Sequence, residues 1–196
     1  MALIASRRIT GATAAFTALA ILAPAAERGR MADADRALFE AVRARRDQAR
    51  TTMARTVSAF GEPAAACAAL GIAAGYAARR VGWRRAYLPF LAVAGGAAAR
   101  RRLSRLIARP RPPADAWLTE PEGYSLPSKH TTLAALTAGA CVRILGLGSI
   151  PAHAATLLAA ACVGSSRVYL GVHWPADVAA GWLFAEGWLY LTGPEP

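Results

Sequence analysis

Ser166, Arg167, His173 and Asp177 fall within twelve positions of each other, in the stretch Ser166-Arg167-Val168-Tyr169-Leu170-Gly171-Val172-His173-Trp174-Pro175-Ala176-Asp177. The sequence around them is almost wholly apolar and rich in Ala and Gly. His173 and Asp177 are four residues apart, and Pro175 is a favoured first helical residue. A helix opening there puts Asp177 about one turn beyond His173, within reach of its ring. A carboxylate behind an imidazole fixes the tautomer and supports positive charge on the ring, which leaves the other nitrogen as a nucleophile or base. Arg167 brings a planar fork that suits a phosphate. A plainer reading of the same residues makes Asp177 a favourable acid in a helix's first turn and His173 an interface residue. This stretch alone leaves both open.

Two other stretches bear on the choice. Arg102 is followed, after six residues, by Arg109-Pro110, and Pro127-Ser128-Lys129-His130 directly precedes a long apolar run. Taken together, the three stretches resemble the signature of the type 2 phosphatidic acid phosphatase (PAP2) superfamily, which also includes vanadium haloperoxidases. Its pattern reads K-x6-R-P, then P-S-G-H, then S-R-x5-H-x3-D. The third motif is complete, the second has Lys129 in place of Gly, and the first has Arg102 in place of Lys. The resemblance covers residues 102–177 in motifs and the whole chain in layout.

The resemblance implies roles. His173 attacks phosphorus to give a phosphohistidine, His130 donates a proton to the departing oxygen, and Asp177 orients His173. Arg102, Arg109 and Arg167 hold the phosphoryl oxygens. Ser128 is suited to cap the helix after it, whose first N–H groups, with Lys129, then face an anion. If the backbone at Lys129 is already helical, the departure from Gly is harmless and adds a cation. Arg102 and Arg109, seven apart, are expected two turns apart on one helical face and able to bind one phosphate. The resemblance also implies metal-independent hydrolysis without a cofactor; in the sequence itself the acids are scattered and the histidines are not spaced as a ligand set. His153, inside an apolar run and outside any motif, reads as a hydrogen-bonded core or interfacial residue.

These side chains need positioning elements, and composition says what kind. The 196 residues are 55% hydrophobic and 18% charged, with mean hydropathy +0.29, too apolar for an ordinary soluble domain and long enough for one domain. The net charge is +11 and Lys129 is the one lysine. No nucleic-acid motif accompanies the charge, and its short blocks between apolar runs suit anionic lipid and a phosphorylated substrate. Cys67, Cys141 and Cys162 lie inside apolar runs and read as small core residues.

Six runs are apolar enough for helices: 9–26, 63–78, 86–99, 131–142, 151–163 and 178–191. Most fall short of the ~20 residues of a usual span, a shortfall that snorkelling arginines at their ends can offset. The first run could also be a signal-peptide core, given Ala23-Pro24-Ala25-Ala26; an uncleaved helix fits the family layout. Residues 27–62 suggest an interfacial amphipathic helix with Leu38, Phe39 and Val42 on one side, and a compact basic turn is expected around Trp83. The expected fold is therefore all-α: one integral membrane domain over 1–196, a six-helix transmembrane bundle with the site at one membrane face. Its expected partners are a lipid phosphate or diphosphate substrate and membrane lipids, in a bacterial-type cell membrane. Orientation rests on the family layout, which places the site outside the cytoplasm, because raw arginine counting points the other way. Two alternatives remain open: a non-catalytic lipid-binding or transport protein with a decayed site, and a vanadate-dependent haloperoxidase, disfavoured because those proteins are soluble.

Overall fold

The computed structural model describes residues 2–82 and 86–192. Among them are eight α-helices and no strand: α1 (Ala2–Ala25), α2 (Gly29–Arg43), α3 (Gln48–Ala59), α4 (Pro63–Val81), α5 (Leu88–Ile107), α6 (Lys129–Ile144), α7 (Ser149–Tyr169) and α8 (Pro175–Thr192). A single 3-10 turn, Ala114–Ala116, interrupts the long loop between α5 and α6. Each of the six apolar runs falls on one helix, and the charged segment between the first two supplies α2 and α3. The basic turn expected around Trp83 lies outside the described residues.

Helix α6 is the hub and packs against α4, α5, α7 and α8, while α1 lies along α8. Leu70, Val93, Leu136 and Leu189 meet in one core cluster. Leu19, Leu126 and Phe184 form a second, beside α1. Close packing of α5 relies on Gly95 and Gly96, where an added Cβ would press on the Trp188 ring. Arg8 fastens the α1–α8 pair by donating from Nε to the Tyr190 carbonyl and from Nη2 to that of Leu191, both at 2.9 Å.

Large apolar side chains stand on the outer surface. Ile72, Leu106 and Ile150 are 77%, 83% and 81% exposed, a pattern costly in water and natural against lipid tails. Cys67 and Cys162 are exposed on this surface rather than in the core, and Cys141 is half-buried. Among the described helices, Arg8–Ala25 is long and apolar enough by itself to cross a bilayer, and α3 and α4 together would make a second span bent by 54°. Of the remaining helices α6 has only 16 residues, and α5 carries four arginines in its second half. Their length does not exclude crossing, since 16 to 21 residues at 1.5 Å each reach about 24–32 Å.

Two details differ from the expected charged segment. The chain breaks between Arg43 and Gln48, with Asp47 accepting from Arg50 N as the cap of α3. The inward face of α2 is Ala32, Asp35 and Phe39, whereas Leu38 is 58% exposed. Phe39 packs on Trp174, ring centroids 5.1 Å apart, and so braces the loop between α7 and α8.

That loop turns at Gly171, whose φ is +82. An added Cβ would collide with the Ala116 carbonyl and the Arg46 guanidinium. The same guanidinium donates from Nε to the Tyr169 carbonyl at 2.9 Å and from Nη1 to that of Ala116 at 2.8 Å. Gly171→Ala is therefore expected to cost at least about 2 kcal/mol, from left-handed backbone strain plus overpacking. Thermal unfolding in detergent measures this, and a change within 0.5 kcal/mol, roughly the scatter of ordinary surface substitutions, would contradict the contact.

Candidate functional site

Four helix ends meet at one end of the bundle: the C-termini of α5 and α7 and the N-termini of α6 and α8. Helix α8 starts at Pro175, as its position in the sequence suggests. Asp177 is its third residue and accepts the Trp174 N–H through Oδ2 at 2.8 Å, the reach-back half of a capping box. The same oxygen faces His173 Nδ1 at 3.3 Å and accepts from Ser125 Oγ. Both sequence readings of Asp177 therefore hold at once: it is a first-turn acid and it stands behind the imidazole.

The other face of the His173 ring fixes the tautomer. Nε2 lies 3.2 Å from Arg111 Nη1. A guanidinium can only donate, so Nε2 carries a lone pair and Nδ1 the proton. Arg111 is itself held by four backbone carbonyls: Val172, Gly123, Glu122 and Tyr124. Burial pushes the His173 ring down to about 4, against the opposing pull of the Asp177 carboxylate. Burial likewise lowers the Arg111 guanidinium from its ordinary value, and the Asp177 and Glu122 charges oppose it.

His173, Arg111, His130, Arg167, Lys129 and Glu62 line a cavity of about 120 Å³. That is roughly four water volumes, room for one phosphoryl group. Arg167, in the last turn of α7, donates from Nη1 to Ser58 Oγ at 2.8 Å. Its buried Nε has no hydrogen-bond partner among the described residues; an orphaned buried donor is costly unless an acceptor arrives. His130 Nε2 lies 2.6 Å from Glu62 Oε1, and because a carboxylate only accepts, the proton sits on Nε2.

The sequence-derived residues divide. Arg167, His173, Asp177, His130 and Lys129 converge as expected. Lys129 is the first residue of α6, so the position needs no glycine, and its Nζ pairs with Glu122 at 3.2 Å. Ser128 caps α6, as its type suggests, but its Oγ accepts from Thr131 N and from Thr131 Oγ1 at 2.9 Å. It is fully buried there and does not line the cavity.

Arg102 and Arg109 do not share a helical face. Helix α5 ends at Ile107, and Ala108 takes a left-handed conformation with φ 54. Arg109 therefore leaves the helix before the prolines begin. It turns inward, donating to Asp177 Oδ1 at 2.6 Å, Asp35 Oδ2 at 2.7 Å and the Ala26 carbonyl at 2.8 Å. Arg102 stays exposed on α5 and does not line the cavity. The cation beside His173 is Arg111, two residues past Arg109.

Sequence reasoning missed Arg111, Glu62, Asp35 and Ser125. The second Arg-Pro pair, Arg111-Pro112, was the available signal for the first. Asp35 stands in an i, i+3, i+7 row with Ala32 and Phe39, a buried-face spacing that marks it as inward. Glu62 and Ser125 carry no comparable local sign. His153 is hydrogen-bonded, to Glu186 at 2.8 Å and Tyr190 at 3.1 Å, at the end of α7 remote from the cavity.

Fold and site together define an all-helical protein with a cationic, two-histidine anion pocket where its helix ends meet. The chain belongs to the PAP2 superfamily, whose family model matches residues 85–193. A crystal structure of a transmembrane PAP2 type phosphatidylglycerolphosphate phosphatase from Bacillus subtilis superposes with a TM-score of 0.80 at 25% identity, over 93% of this chain and 94% of that one. This match makes the protein an integral membrane protein. An undecaprenyl-diphosphatase from Sulfolobus acidocaldarius is 38% identical over 80 residues, 37% of this chain and 34% of the relative. An acid phosphatase from Zymomonas mobilis is 41% identical over 64 residues, 32% of this chain and 22% of the relative. The chain thus matches about a third or less of the length of these two relatives.

Arg109→Ala strips two buried carboxylates of their cation, and breaking such a pair typically costs about 3–5 kcal/mol. The loss should appear as a lowered unfolding midpoint in detergent, and Arg102→Ala should leave the midpoint unchanged. A stable Arg109→Ala protein would contradict the ion network. The pH dependence is a separate test. A depressed His173 keeps its Nε2 lone pair until the pH approaches about 4, so the acid limb of kcat/KM, which reports the free enzyme, should lie well below pH 6. A limb centred near the ordinary histidine value would mean that the ring is solvated.

Proposed function

We propose that the protein is a lipid phosphatase that hydrolyses a lipid phosphate or diphosphate through a phosphohistidine. The observation that carries this reading is the His173 Nε2 lone pair, held between Asp177 and Arg111 and facing a cavity sized for one phosphoryl group. Nε2 attacks phosphorus while the bond to the leaving oxygen breaks, the lipid's own oxygen in a monophosphate and the bridging oxygen in a diphosphate. Asp177 supports the positive charge that grows on the ring. As substrate enters, Arg111 Nη1 passes from His173 Nε2 to a phosphoryl oxygen, which frees the lone pair; Arg111 and Arg167 then hold the equatorial oxygens as charge spreads over them, and the partnerless Arg167 Nε gains an acceptor. His130, with its proton on Nε2, turns from Glu62 to protonate the leaving oxygen; water then releases phosphate from His173.

Arginine side chains supply the cations in this scheme, so hydrolysis is metal-independent. We place the six apolar helices across the bilayer and the site on the extracytoplasmic side, in keeping with the family layout. The phosphatase names of the relatives favour this reading over a non-catalytic lipid carrier.

Purified protein in detergent, assayed for phosphate release from polyprenyl diphosphate and phosphatidic acid, tests the proposal. Turnover should persist in EDTA and fall by at least about a thousandfold in His173→Ala, on the order of 4 kcal/mol in barrier, with the unfolding midpoint retained. Acid-labile labelling of wild type but not His173→Ala by ³²P substrate would mark the intermediate. Near-full activity in His173→Ala would remove His173 as nucleophile.

A further inference from the structure

A second cationic cavity adjoins the first. It has a volume of about 250 Å³ and is walled by Arg100, Arg101, Ser104 and Arg105 of α5 together with Glu122 and Lys129. Glu122 and Lys129 also line the catalytic cavity, so their ion pair is the partition between the two. Four cations face one carboxylate in this groove.

The spacing has a cost that a bound anion would remove. Arg101 and Arg105 are i, i+4 neighbours on one helix, where like charges repel. Arg100 is half-buried and donates from Nη1 to the Pro127 carbonyl at 2.9 Å. The partition is weak: the Lys129–Glu122 pair is 3.2 Å long, with Glu122 82% exposed, and exposed pairs of this kind contribute little. An incoming anion can therefore draw Lys129 away from Glu122 at small cost. The catalytic cavity, meanwhile, has room for a single phosphoryl group.

We infer that this groove is a second anion subsite, which seats the lipid-side phosphate of a diphosphate substrate while the terminal phosphate occupies the catalytic cavity. The inference rests on the phosphatase reading above and deepens it. Arg101 and Arg105 stand in the last two turns of α5, so the groove lies beside the site end of the bundle, across the Lys129–Glu122 pair from the cavity that holds His173. On attack, the bond from the terminal phosphorus to the bridging oxygen breaks and the electron pair stays with that oxygen. The lipid monophosphate leaves with its added charge beside Arg101, Arg105 and Lys129. A diphosphate accordingly gains from the groove and a monophosphate does not.

The test compares kcat/KM for a polyprenyl diphosphate and the matching monophosphate, in wild type, Arg101→Gln, Arg105→Gln and the double variant. Each substrate is presented in zwitterionic and in anionic vesicles. The double variant is expected to lower the diphosphate-to-monophosphate ratio by at least about tenfold in both vesicle types. An equal loss on both substrates, or no loss, would overturn the subsite. A loss confined to anionic vesicles would reassign the groove to lipid headgroups and also overturn it. Calorimetric binding of inorganic pyrophosphate and phosphate to the same proteins separates this proposal from the phosphatase reading. Should wild type hydrolyse neither substrate, that reading falls, and the subsite stands only if pyrophosphate binds more tightly than phosphate and the double variant abolishes the difference.

Discussion

Everything at the site depends on how one buried carboxylate is satisfied. Asp177 is fully buried, and an anion there is tolerable only if its desolvation is offset by close, well-aligned donors. It has them on both oxygens: Arg109 on Oδ1, and on Oδ2 the Trp174 N–H, the Ser125 hydroxyl and the His173 ring. The partners come from two loops, Arg109 and Ser125 from the one after α5 and His173 and Trp174 from the one before α8, so satisfying the charge also sets where α8 begins, where the loop after α5 runs and how the imidazole turns. Asp35 extends the knot by taking Arg109 on one oxygen and the Ala176 N–H on the other. A residue from α2 thus closes the N-terminus of the last helix.

Arg109 and Arg111 divide two tasks that a single arginine could not perform. Past Ala108 the chain is no longer helical, and alternating prolines hold φ near −65°, so residues two apart no longer follow a helical face. One guanidinium goes into the ion knot and the next to the cavity. This is also why the sequence misleads at this point. Seven-residue spacing means a shared face only while a helix lasts; Pro110 marks the stop in the sequence, but nothing local announced the left-handed Ala108 that turns Arg109 inward. The third motif was legible because Pro175 truly opens a helix and the four-residue reach from His173 to Asp177 is local. The six apolar runs were legible from composition alone. Glu62 and Ser125 were not, because their roles come from contacts 68 and 52 residues away. Asp35, by contrast, was readable in retrospect from its place in the Ala32–Phe39 row.

A surplus of arginine need not mean a polyanion partner. Several guanidiniums here end on carbonyls rather than on acids: Arg8 on Tyr190 and Leu191, Arg46 on Tyr169 and Ala116, Arg100 on Pro127, Arg143 on Leu189. The last carbonyls of a helix lack intrahelical partners, and a cation there also meets the negative end of the helix dipole. In a low-dielectric surrounding such bonds hold helix ends together where small, Ala-rich side chains provide few large contacts. Part of the charge that looked like a binding signature is internal fastening, and the cavity and its neighbouring groove are two places where other cations gather.

The pairing of α1 with α8 sets an order on assembly. Of the described helices the earliest, α1, packs chiefly on the latest, α8, and Arg8 reaches the Tyr190 and Leu191 carbonyls once α8 exists. Asp177 arrives in that same last segment. A nascent chain that has completed α1 through α7 already carries Arg109, Asp35, Arg111 and Arg167, but neither His173 nor the Asp177 carboxylate that stands behind it. The constellation around Asp177 is thereby complete only when α8 is in place, and the helix that closes α1 onto the bundle is the one that finishes the site.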